Sequence, residues 1–331
     1  MFPRTLFTVL LALSILCILV SNNPILLFAN SRHQKQLLPI PSQTLVINLA
    51  RRYDRRRQME ILRSGLRLAY WTYLPAEDHT SSLSVQLLQT VQAIRAAAFK
   101  DFYYDSDSTV ALPFSWPTQL ESSPFDDISP VFSLPDPAPP LTCATEDFTV
   151  EPYSPALKHY RVLTRNRVAC WHSHLSAIKR AVSQPTLILE DDVDMEVDIS
   201  ERLRSVWSSL PLDWDILYLG HCWSNESYFP PLPSQEPSLV RLHPSNAPLC
   251  THAYAVSPTG ALRLLLYLTH PPFAYSRAID HALAWLVQNR LVRAYSVVPS
   301  IVVQRKISNS DVTIDGRAST WRDDLTKGFF A

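Results

Sequence analysis

Glycine is scarce in this chain, with only five among 331 residues, where about 7% is usual. The five stand at positions 65, 220, 260, 316 and 328. No two are close enough for the G-x-G-x-x-G turn of a dinucleotide site or for a Walker phosphate loop. Any nucleotide that binds here must therefore be held without a glycine-rich cradle. Proline, at 27 residues, is expected to supply most of the turns.

The chain also lacks an excess of charge, since 30 Lys and Arg balance 30 Asp and Glu. A general nucleic-acid binder draws its affinity from Lys and Arg side chains that neutralise phosphates. The balance therefore argues against nucleic acid as a partner. Charged residues make up 18% and hydrophobic residues 47%, which is too apolar for a disordered chain. The sequence can bury a large core.

The first 30 residues predict a targeting segment. Residues 6–20 carry no charge, and their length suits the apolar core of a cleaved signal peptide or, with a short extension, a retained signal-anchor in the membrane. Both alternatives place the rest of the chain in the secretory pathway. The first predicts a secreted protein, and the second predicts a single-pass type II membrane protein of the Golgi or ER with a lumenal domain. Residues 31–43 follow as a polar stem.

Two further features agree with that compartment. The tripeptide Asn-Glu-Ser at 225–227 is an N-glycosylation sequence. Outside the apolar segment the chain has an even set of cysteines that could form two disulfides, although the sequence does not reveal their pairing. The set is Cys143, Cys170, Cys222 and Cys250. No CxxC pair occurs, so a zinc ribbon is not predicted.

Strand-like and helix-like segments alternate over residues 44–331 and predict an α/β domain with a mostly parallel central sheet. Apolar strands are expected at 45–49, 69–74, 186–189, 214–219, 253–256 and 292–298. Helices are expected after an N-cap at Asp54, over 85–99, from 164 through Val182, after Ser257-Pro258, and from Ile279. Residues 104–160 break this pattern with ten prolines between 111 and 160, which predicts a long extended insertion.

The strongest chemical signal is the acidic run Glu190-Asp191-Asp192, which directly follows an apolar strand. Ligands of open α/β sheets usually bind at the carboxyl ends of strands. In extended backbone Glu190 and Asp192 share a face, while Asp191 points away. Adjacent carboxylates repel one another and no cationic residue is near them in sequence, so a hard divalent cation is predicted. A solvated acidic loop is the alternative.

An arginine-dense segment follows the first strand, with arginine at positions 51, 52, 55, 56 and 57. Guanidinium groups bind phosphate bidentately, and a helix N-terminus also favours anions. Five arginines on one helix cannot all face one ligand. At least three are therefore expected to face solvent.

Asp280 and several histidines are weaker candidates. Asp280 lies in the first turn of a predicted helix, where a carboxylate also stabilises the helix dipole. His172 and His174 are two residues apart and would lie on different faces of a helix, so they do not predict a paired metal site. His221 and His252 are either ligands or hydrogen-bonded, semi-buried residues.

Several segments together resemble glycosyltransferase family 25, which contains bacterial lipooligosaccharide galactosyltransferases and procollagen galactosyltransferases. Residues 46–55 match the family's I-N-L-x-R-x-x-x-R segment, and residues 190–192 match its E-D-D triplet. Residues 169–174 match its G-C-x-x-S-H segment, with Ala169 in place of the glycine. Residues 214–220 and 253–261 are similar to the family as well, and the matches cover roughly 45–305 in order. The insertion at 104–160 has no counterpart.

The resemblance implies a GT-A type nucleotide-sugar fold. It also implies an enzyme that moves a hexose, galactose or glucose, from a UDP-sugar to an acceptor hydroxyl with inversion at the anomeric carbon. In such a fold a cation held by carboxylates, Mn²⁺ or Mg²⁺, binds the diphosphate, which suits a chain with so little glycine. The acceptor is a glycan, a protein or a lipid. The alternatives are a metal-dependent hydrolase of the secretory pathway and a non-catalytic sugar-binding protein.

The mechanism that the resemblance implies leads to hypotheses for individual residues. Glu190 and Asp192 are the expected metal ligands, with Asp191 as the alternative partner of Asp192. Asp280 is the candidate general base that accepts the proton of the acceptor hydroxyl. The residues expected on the donor side are Asn48, Arg51, Arg55, Ser173, His174 and Asp191.

Overall fold

The computed structural model describes residues 41–104, 116–120, 149–150, 162–234, 238–270, 273–305 and 325–330. The predicted targeting segment, most of the stem and most of the proline-rich insertion, including Cys143, lie outside these residues. Within the described ranges, no helix combines the length and the apolar character needed to cross a membrane.

Strands and helices alternate through the described residues. The strands are β1 (Gln43–Asn48), β2 (Thr72–Pro75), β3 (Thr149–Val150), β4 (Val162–Leu163), β5 (Thr186–Glu190), β6 (Val193–Met195), β7 (Ile216–Tyr218), β8 (Arg241–Pro244), β9 (Ala253–Val256), β10 (Ala294–Val298) and β11 (Val302–Gln304). The helices are α1 (Tyr53–Gly65), α2 (Ser82–Tyr104), α3 (Arg165–Arg180), α4 (Ile199–Ser209), α5 (Pro258–Leu268) and α6 (Ile279–Gln288).

The central sheet has seven strands in the order β2-β1-β5-β9-β7-β10-β8. Strands β2, β1, β5, β7 and β10 run in one direction, whereas β9 and the edge strand β8 run in the other. The sheet is therefore mostly parallel, as predicted. Because β9 is reversed, its first residue, Ala253, pairs with Leu189 near the carboxyl end of β5. The segment before β9 thus reaches the same sheet edge as the acidic run.

Helices α2, α3, α5 and α6 pack against one face of the sheet in a shared hydrophobic cluster. Trp171, Leu175 and Ile178 of α3 are buried in this cluster at the helical spacing from which the helix was predicted. Val182 lies beyond the end of α3 and is exposed. Burial of this stripe fixes α3 against the sheet, and it therefore fixes the position of His174.

Some local predictions are confirmed and others are wrong. Ser257 caps α5 as expected, because its hydroxyl accepts a hydrogen bond of 2.9 Å from the Gly260 N–H. Asp54 does not cap α1: the cap position is Arg52, without a side-chain cap bond, and Asp54 lies in the first turn and binds Arg52 instead. Strand β8 lies within the proline-rich residues 230–248, where the sequence predicted no strand. This strand lies at the sheet edge, where its proline is tolerated.

The two acidic residues after the triplet have a structural role. The Glu196 carboxylate accepts hydrogen bonds of 2.7 and 2.9 Å from the N–H groups of Thr326 and Lys327. Asp194 accepts a hydrogen bond of 3.2 Å from the Phe330 N–H. Asp194 and Glu196 therefore hold the backbone of residues 325–330, and they are not available as metal ligands.

Cys222 and Cys250 form a disulfide that the sequence did not reveal. The bond joins the loop after β7 to the segment before β9, with 5.7 Å between the two Cα atoms. Cys170 is not disulfide-bonded. The described residues therefore contain one of the two disulfides that an even set of cysteines allows.

Candidate active site

The acidic run leaves the sheet at Glu190, the last residue of β5, and Asp191 and Asp192 form a turn before β6. The predicted alternation of side chains is therefore wrong at this point, because residues in a turn do not alternate between the faces of a sheet. Asp191 and Asp192 instead approach the same Arg55 nitrogen, Nη1, at 2.9 and 3.1 Å. A single guanidinium thus bridges both carboxylates.

Two residues from the first strand and helix hold Asp191. The parallel register pairs Ile47 of β1 with Glu190 of β5, so Asn48 lies beside Asp191. The Asn48 amide donates a hydrogen bond of 2.6 Å to one carboxylate oxygen, and Arg55 donates one of 2.9 Å to the other. Burial raises the pKa of Asp191 although Arg55 and Asn48 oppose that rise. Both oxygens therefore have fixed partners, and Asp191 is held in one orientation.

Asp192 is the least compensated carboxylate of the three. Its other side-chain neighbour is Gln304, whose amide nitrogen lies 3.3 and 3.5 Å from its two oxygens. The side chain is only 13% exposed. Burial, together with the negative charge of Glu190, raises the pKa of Asp192 to about 7. Asp192 is therefore the group that would gain most from a bound cation.

Glu190 is held from α3 and from the segment before β9. The Thr251 hydroxyl donates a hydrogen bond of 2.9 Å to Glu190 Oε1, and His174 Nε2 lies 3.4 Å from the same oxygen. The other His174 nitrogen, Nδ1, is 3.0 Å from the hydroxyl of Tyr254. Burial works against ionisation, but His174 and Thr251 keep the pKa of Glu190 below its ordinary value. Glu190 is thus a stable carboxylate at the sheet edge.

Asp280 lies at the same edge, in the first turn of α6. One of its oxygens accepts a hydrogen bond of 3.4 Å from the N–H of Cys250, and Thr251, the next residue, binds Glu190. The other oxygen accepts a hydrogen bond of 2.9 Å from the His281 N–H. Two consecutive residues, Cys250 and Thr251, therefore connect Asp280 to Glu190. The sequence position of Asp280 at the start of a helix does not indicate this connection.

A first cleft opens between the ends of β1 and β2 and the start of α3. It is lined by Ile47, Leu49, Arg51, Arg55, Ala76, Glu77, His79, Asn166, Ala169, Cys170, Ser173, His174, Glu190 and Asp191. The Ser173 hydroxyl donates to the Ala169 carbonyl and accepts from the Glu77 N–H, both at 2.8 Å. Ser173 therefore holds the end of β2 against α3. Ala169 lies inside α3, so its substitution for the family's glycine alters no turn.

A second cleft lies on the other side of the Arg55–Asp191 pair. It is lined by Asp54, Arg55, Arg57, Gln58, Ile61, Asp191, Asp192 and Arg305. Because Arg55 and Asp191 line both clefts, their ion pair forms the wall between them. Arg51, Arg56 and Arg57 are exposed, which confirms that at least three arginines of this segment face solvent, and Arg51 also pairs with Asp78.

Of the remaining histidine candidates, His221 and His252 are buried and His172 is half-buried. His252 Nε2 lies 3.2 Å from the Val302 carbonyl oxygen, and His221 is 8% exposed. A Cβ at Gly220 would lie 2.1 Å from that same carbonyl oxygen and 2.2 Å from His252. The close packing of this segment therefore requires a glycine. His172 contacts the hydroxyl of Tyr275 at 3.3 Å and takes no part in the acidic site.

The donor set fits a cation that completes its coordination with substrate and water. Across the described residues, no group of three or more His, Cys, Asp and Glu side chains is arranged to hold a metal ion. Mg²⁺ commonly takes only one or two protein carboxylates and obtains its other ligands from phosphate and water. The poorly compensated Asp192, with Glu190 beside it, suits that mode of binding. Arg55 supplies a positive charge next to the acidic run. The sequence analysis found no cationic residue near this run because Arg55 lies 136 positions before Asp191.

Thr251, Tyr254, Gln304 and Arg305 were missed as members of the site. Gln304 and Arg305 reach Asp192 because β11 pairs with β6 in the antiparallel sense, and the Arg305 N–H donates to the Asp192 carbonyl at 2.6 Å. Thr251 and Tyr254 reach Glu190 and His174 because β9 lies next to β5. No local pattern signals these contacts, since each depends on which strands are neighbours.

The sheet is mostly parallel, and the carboxylates at its edge lie beside the arginine-rich start of α1. These features are typical of α/β proteins that bind a ligand at the carboxyl ends of their strands. The sequence model of glycosyltransferase family 25 (LPS biosynthesis protein) matches residues 42–282. This chain belongs to glycosyltransferase family 25, and the family implies a glycosyltransferase. A search of curated proteins finds no significant match.

The raised pKa of Asp192 predicts how stability depends on pH. A carboxyl group whose pKa is higher in the folded state stabilises the fold at low pH and loses that contribution as pH rises through about 7. In EDTA at pH 8.5, Asp192→Asn is therefore expected to raise the free energy of unfolding by on the order of 3 kcal/mol. At pH 5.5 the gain should be smaller. Urea denaturation at the two pH values measures both.

Asp213→Asn is the matched control for this prediction. Asp213 is exposed and pairs with Arg293 just before β7, away from the acidic run. Its replacement should change stability little and without this dependence on pH. A loss of stability in Asp192→Asn at pH 8.5 would contradict the prediction.

Proposed function

We propose that this protein transfers a hexose, galactose or glucose, from a UDP-sugar to an acceptor hydroxyl, with inversion at the anomeric carbon, on a GT-A type domain. The observation that carries the proposal is the Asn48–Asp191–Arg55 arrangement. It joins the family's opening segment to its acidic triplet in one site.

The first cleft suits the nucleotide of the donor. Ile47, Leu49 and Ala76 give it apolar surface that can pack against a base. Arg51 and Arg55 line the same cleft, and guanidinium groups bind phosphate well. The position of this cleft at the carboxyl ends of β1 and β5 agrees with ligand binding in open α/β sheets. The diphosphate would then lie toward the acidic turn.

Glu190 and Asp192 are the residues proposed to hold Mn²⁺ or Mg²⁺. Such an ion, when bound, neutralises charge on the diphosphate as it leaves. Arg55 and Asn48 keep Asp191 in place, and Arg55 also restrains Asp192. Thr251 and His174 orient Glu190. These contacts hold both carboxylates in position before substrate arrives.

Asp280 is the proposed general base. The acceptor oxygen attacks the anomeric carbon from the face opposite the diphosphate, the bond between sugar and phosphate breaks, and UDP leaves. The hydroxyl proton passes to the Asp280 carboxylate. The Cys250 N–H and the start of α6 stabilise the negative charge of this carboxylate and fix its direction.

We also propose that the protein acts in the lumen of the Golgi or ER, anchored by its N-terminal segment, or is secreted if that segment is cleaved. The Cys222–Cys250 disulfide supports an oxidising compartment. The apolar run at 6–20 supports entry into that pathway.

The full chain, purified in mild detergent, tests the proposed activity with UDP-galactose or UDP-glucose in Mn²⁺ or in EDTA. We expect UDP release that requires both Mn²⁺ and an acceptor, together with a new glycosidic product. Free sugar formed at the same rate without an acceptor would favour a hydrolase. Donor binding without turnover would favour a sugar-binding protein.

A further inference from the structure

The loop that follows β7 exposes three aromatic side chains within seven residues. Trp223, Tyr228 and Phe229 are 53%, 67% and 36% exposed. Single exposed aromatic residues are ordinary, but a group of them marks a surface for binding. Tyr228 and Phe229 also pack edge to face, with 5.0 Å between their ring centroids. The loop therefore carries one packed aromatic pair, Tyr228 and Phe229, and a separately exposed Trp223.

The backbone of this loop is firmly held even though its aromatic side chains face outward. The Cys222 disulfide and a 3.0 Å hydrogen bond from the Cys222 N–H to the Leu249 carbonyl fix its start. Further along, the buried Glu226 carboxylate accepts hydrogen bonds from two backbone N–H groups, at 246 and 247, and from the Ser296 hydroxyl. Trp223 itself has a φ of 53°, which is rare for a bulky residue. The structure thus fixes Trp223 in an exposed position.

The loop is also close to the proposed base. Trp223 is next to Cys222, whose Cα is 5.7 Å from that of Cys250, and the Cys250 N–H contacts Asp280. These links place the Trp223 Cα no more than about 14 Å from the Asp280 carboxylate. That span is about the length of two or three linked sugar rings. The distance therefore allows a saccharide of that length, bound on Trp223, to span the gap to Asp280.

The chemistry of the loop favours a sugar over a lipid. A pyranose has C–H groups on one face that pack against a flat aromatic ring, while its hydroxyls require polar neighbours. Asn225 and Ser227 are exposed between the aromatic side chains, and the Ser227 hydroxyl donates a hydrogen bond of 2.8 Å to the Asn225 side-chain oxygen. Asn225 is also the first residue of the N-glycosylation sequence, so an open subsite requires that this asparagine carry no glycan. A lipid chain would require a continuous apolar surface, which these polar residues interrupt.

We propose that residues 221–229 form the acceptor subsite, in which Trp223 stacks against a sugar ring of a saccharide acceptor. This inference rests on the proposed hexosyl transfer and adds to it the class of the acceptor and the residue that selects it. Trp223 binds the acceptor and takes no part in bond breaking. Its removal therefore affects the acceptor KM and leaves the donor KM unchanged.

The test measures transfer by the full chain from UDP-galactose and UDP-glucose to three acceptor classes. The probes are methyl glycosides of galactose, glucose and N-acetylglucosamine, a hydroxylysine peptide, and a short-chain diacylglycerol. We expect transfer to at least one glycoside, with an acceptor KM about tenfold or more higher in Trp223→Ala. Trp223→Phe should restore part of the loss, because it keeps a flat ring.

Tyr70→Ala is the matched control, since Tyr70 is 77% exposed just before β2, at the opposite end of the strands. It should leave both KM values unchanged. Transfer only to the peptide or the lipid, or an unchanged glycoside KM in Trp223→Ala, would overturn the acceptor assignment while leaving hexosyl transfer intact. Absence of donor-dependent transfer to every class would instead refute the proposed function on which it rests.

Discussion

Asp192→Asn is expected to lower sugar transfer about a thousandfold, because removing one preorganised charge from a reacting site commonly costs about that much. The asparagine keeps the size of the side chain, and Arg55 retains its contact with Asp191. The substitution therefore removes the charge and little else. UDP release under saturating donor and acceptor measures the loss.

The same substitution is expected to stabilise the metal-free fold at high pH, so unfolding could not explain the lost activity. This combination is typical of a residue that is retained for function at a cost in stability. Asp213→Asn should keep full activity, because its carboxylate is exposed before β7. An Asp192→Asn enzyme with more than a tenth of wild-type activity would contradict the role of this carboxylate.

Asp280→Asn is expected to lower kcat by about a hundred- to ten-thousandfold, the range that general-base catalysis supplies. The amide oxygen can still accept from one of the two N–H groups, of Cys250 or His281, that bind the carboxylate, so most of the local structure should persist. The donor KM should stay unchanged, because Asp280 lies on α6 and is not among the residues that line the first cleft. Steady-state kinetics with varied donor and acceptor separates the two effects.

Glu201→Gln controls for the helix-dipole contribution of Asp280. Glu201 occupies the first turn of α4, as Asp280 does in α6. Loss of a first-turn charge alone costs well under the effect expected for a base. If Asp280→Asn reduces kcat no more than Glu201→Gln does, Asp280 only stabilises the start of its helix.

The acidic run divides into residues with different tasks. Glu190 lines the first cleft and Asp192 lines the second, while Asp191 between them is fixed by Asn48 and Arg55. Asp194 and Glu196 hold the backbone of residues 325–330. A sequence that reads as one block of negative charge thus combines carboxylates proposed to bind a ligand with carboxylates that support the fold.

Local signals predicted the parts of the fold that depend on neighbouring residues. Three confirmed features depend only on spacing or on hydrogen bonds within a few positions. They are the Ser257 cap, the buried stripe of Trp171 and Ile178, and the strand at 186–189. The placement of the acidic run at a sheet edge follows in the same way, because an apolar strand precedes it directly.

Contacts between distant segments were not predictable from the sequence. Arg55 meets the acidic turn only because β1 and β5 are neighbours. The reversed direction of β9 brings Thr251 to Glu190, and the Cys222–Cys250 pair depends on the same strand order. Asp54 shows the converse case, since a nearby Arg52 binds the carboxylate that was expected to cap α1.

The position of manganese in crystals of the protein grown with MnCl₂ and UDP most directly tests whether Asp192 holds a cation. If Asp192 holds the cation, we expect an anomalous manganese peak within about 2.5 Å of an Asp192 oxygen, with the UDP diphosphate beside it and Arg55 still on Asp191. UDP bound at this edge of the sheet without manganese, or manganese held only elsewhere, would contradict it.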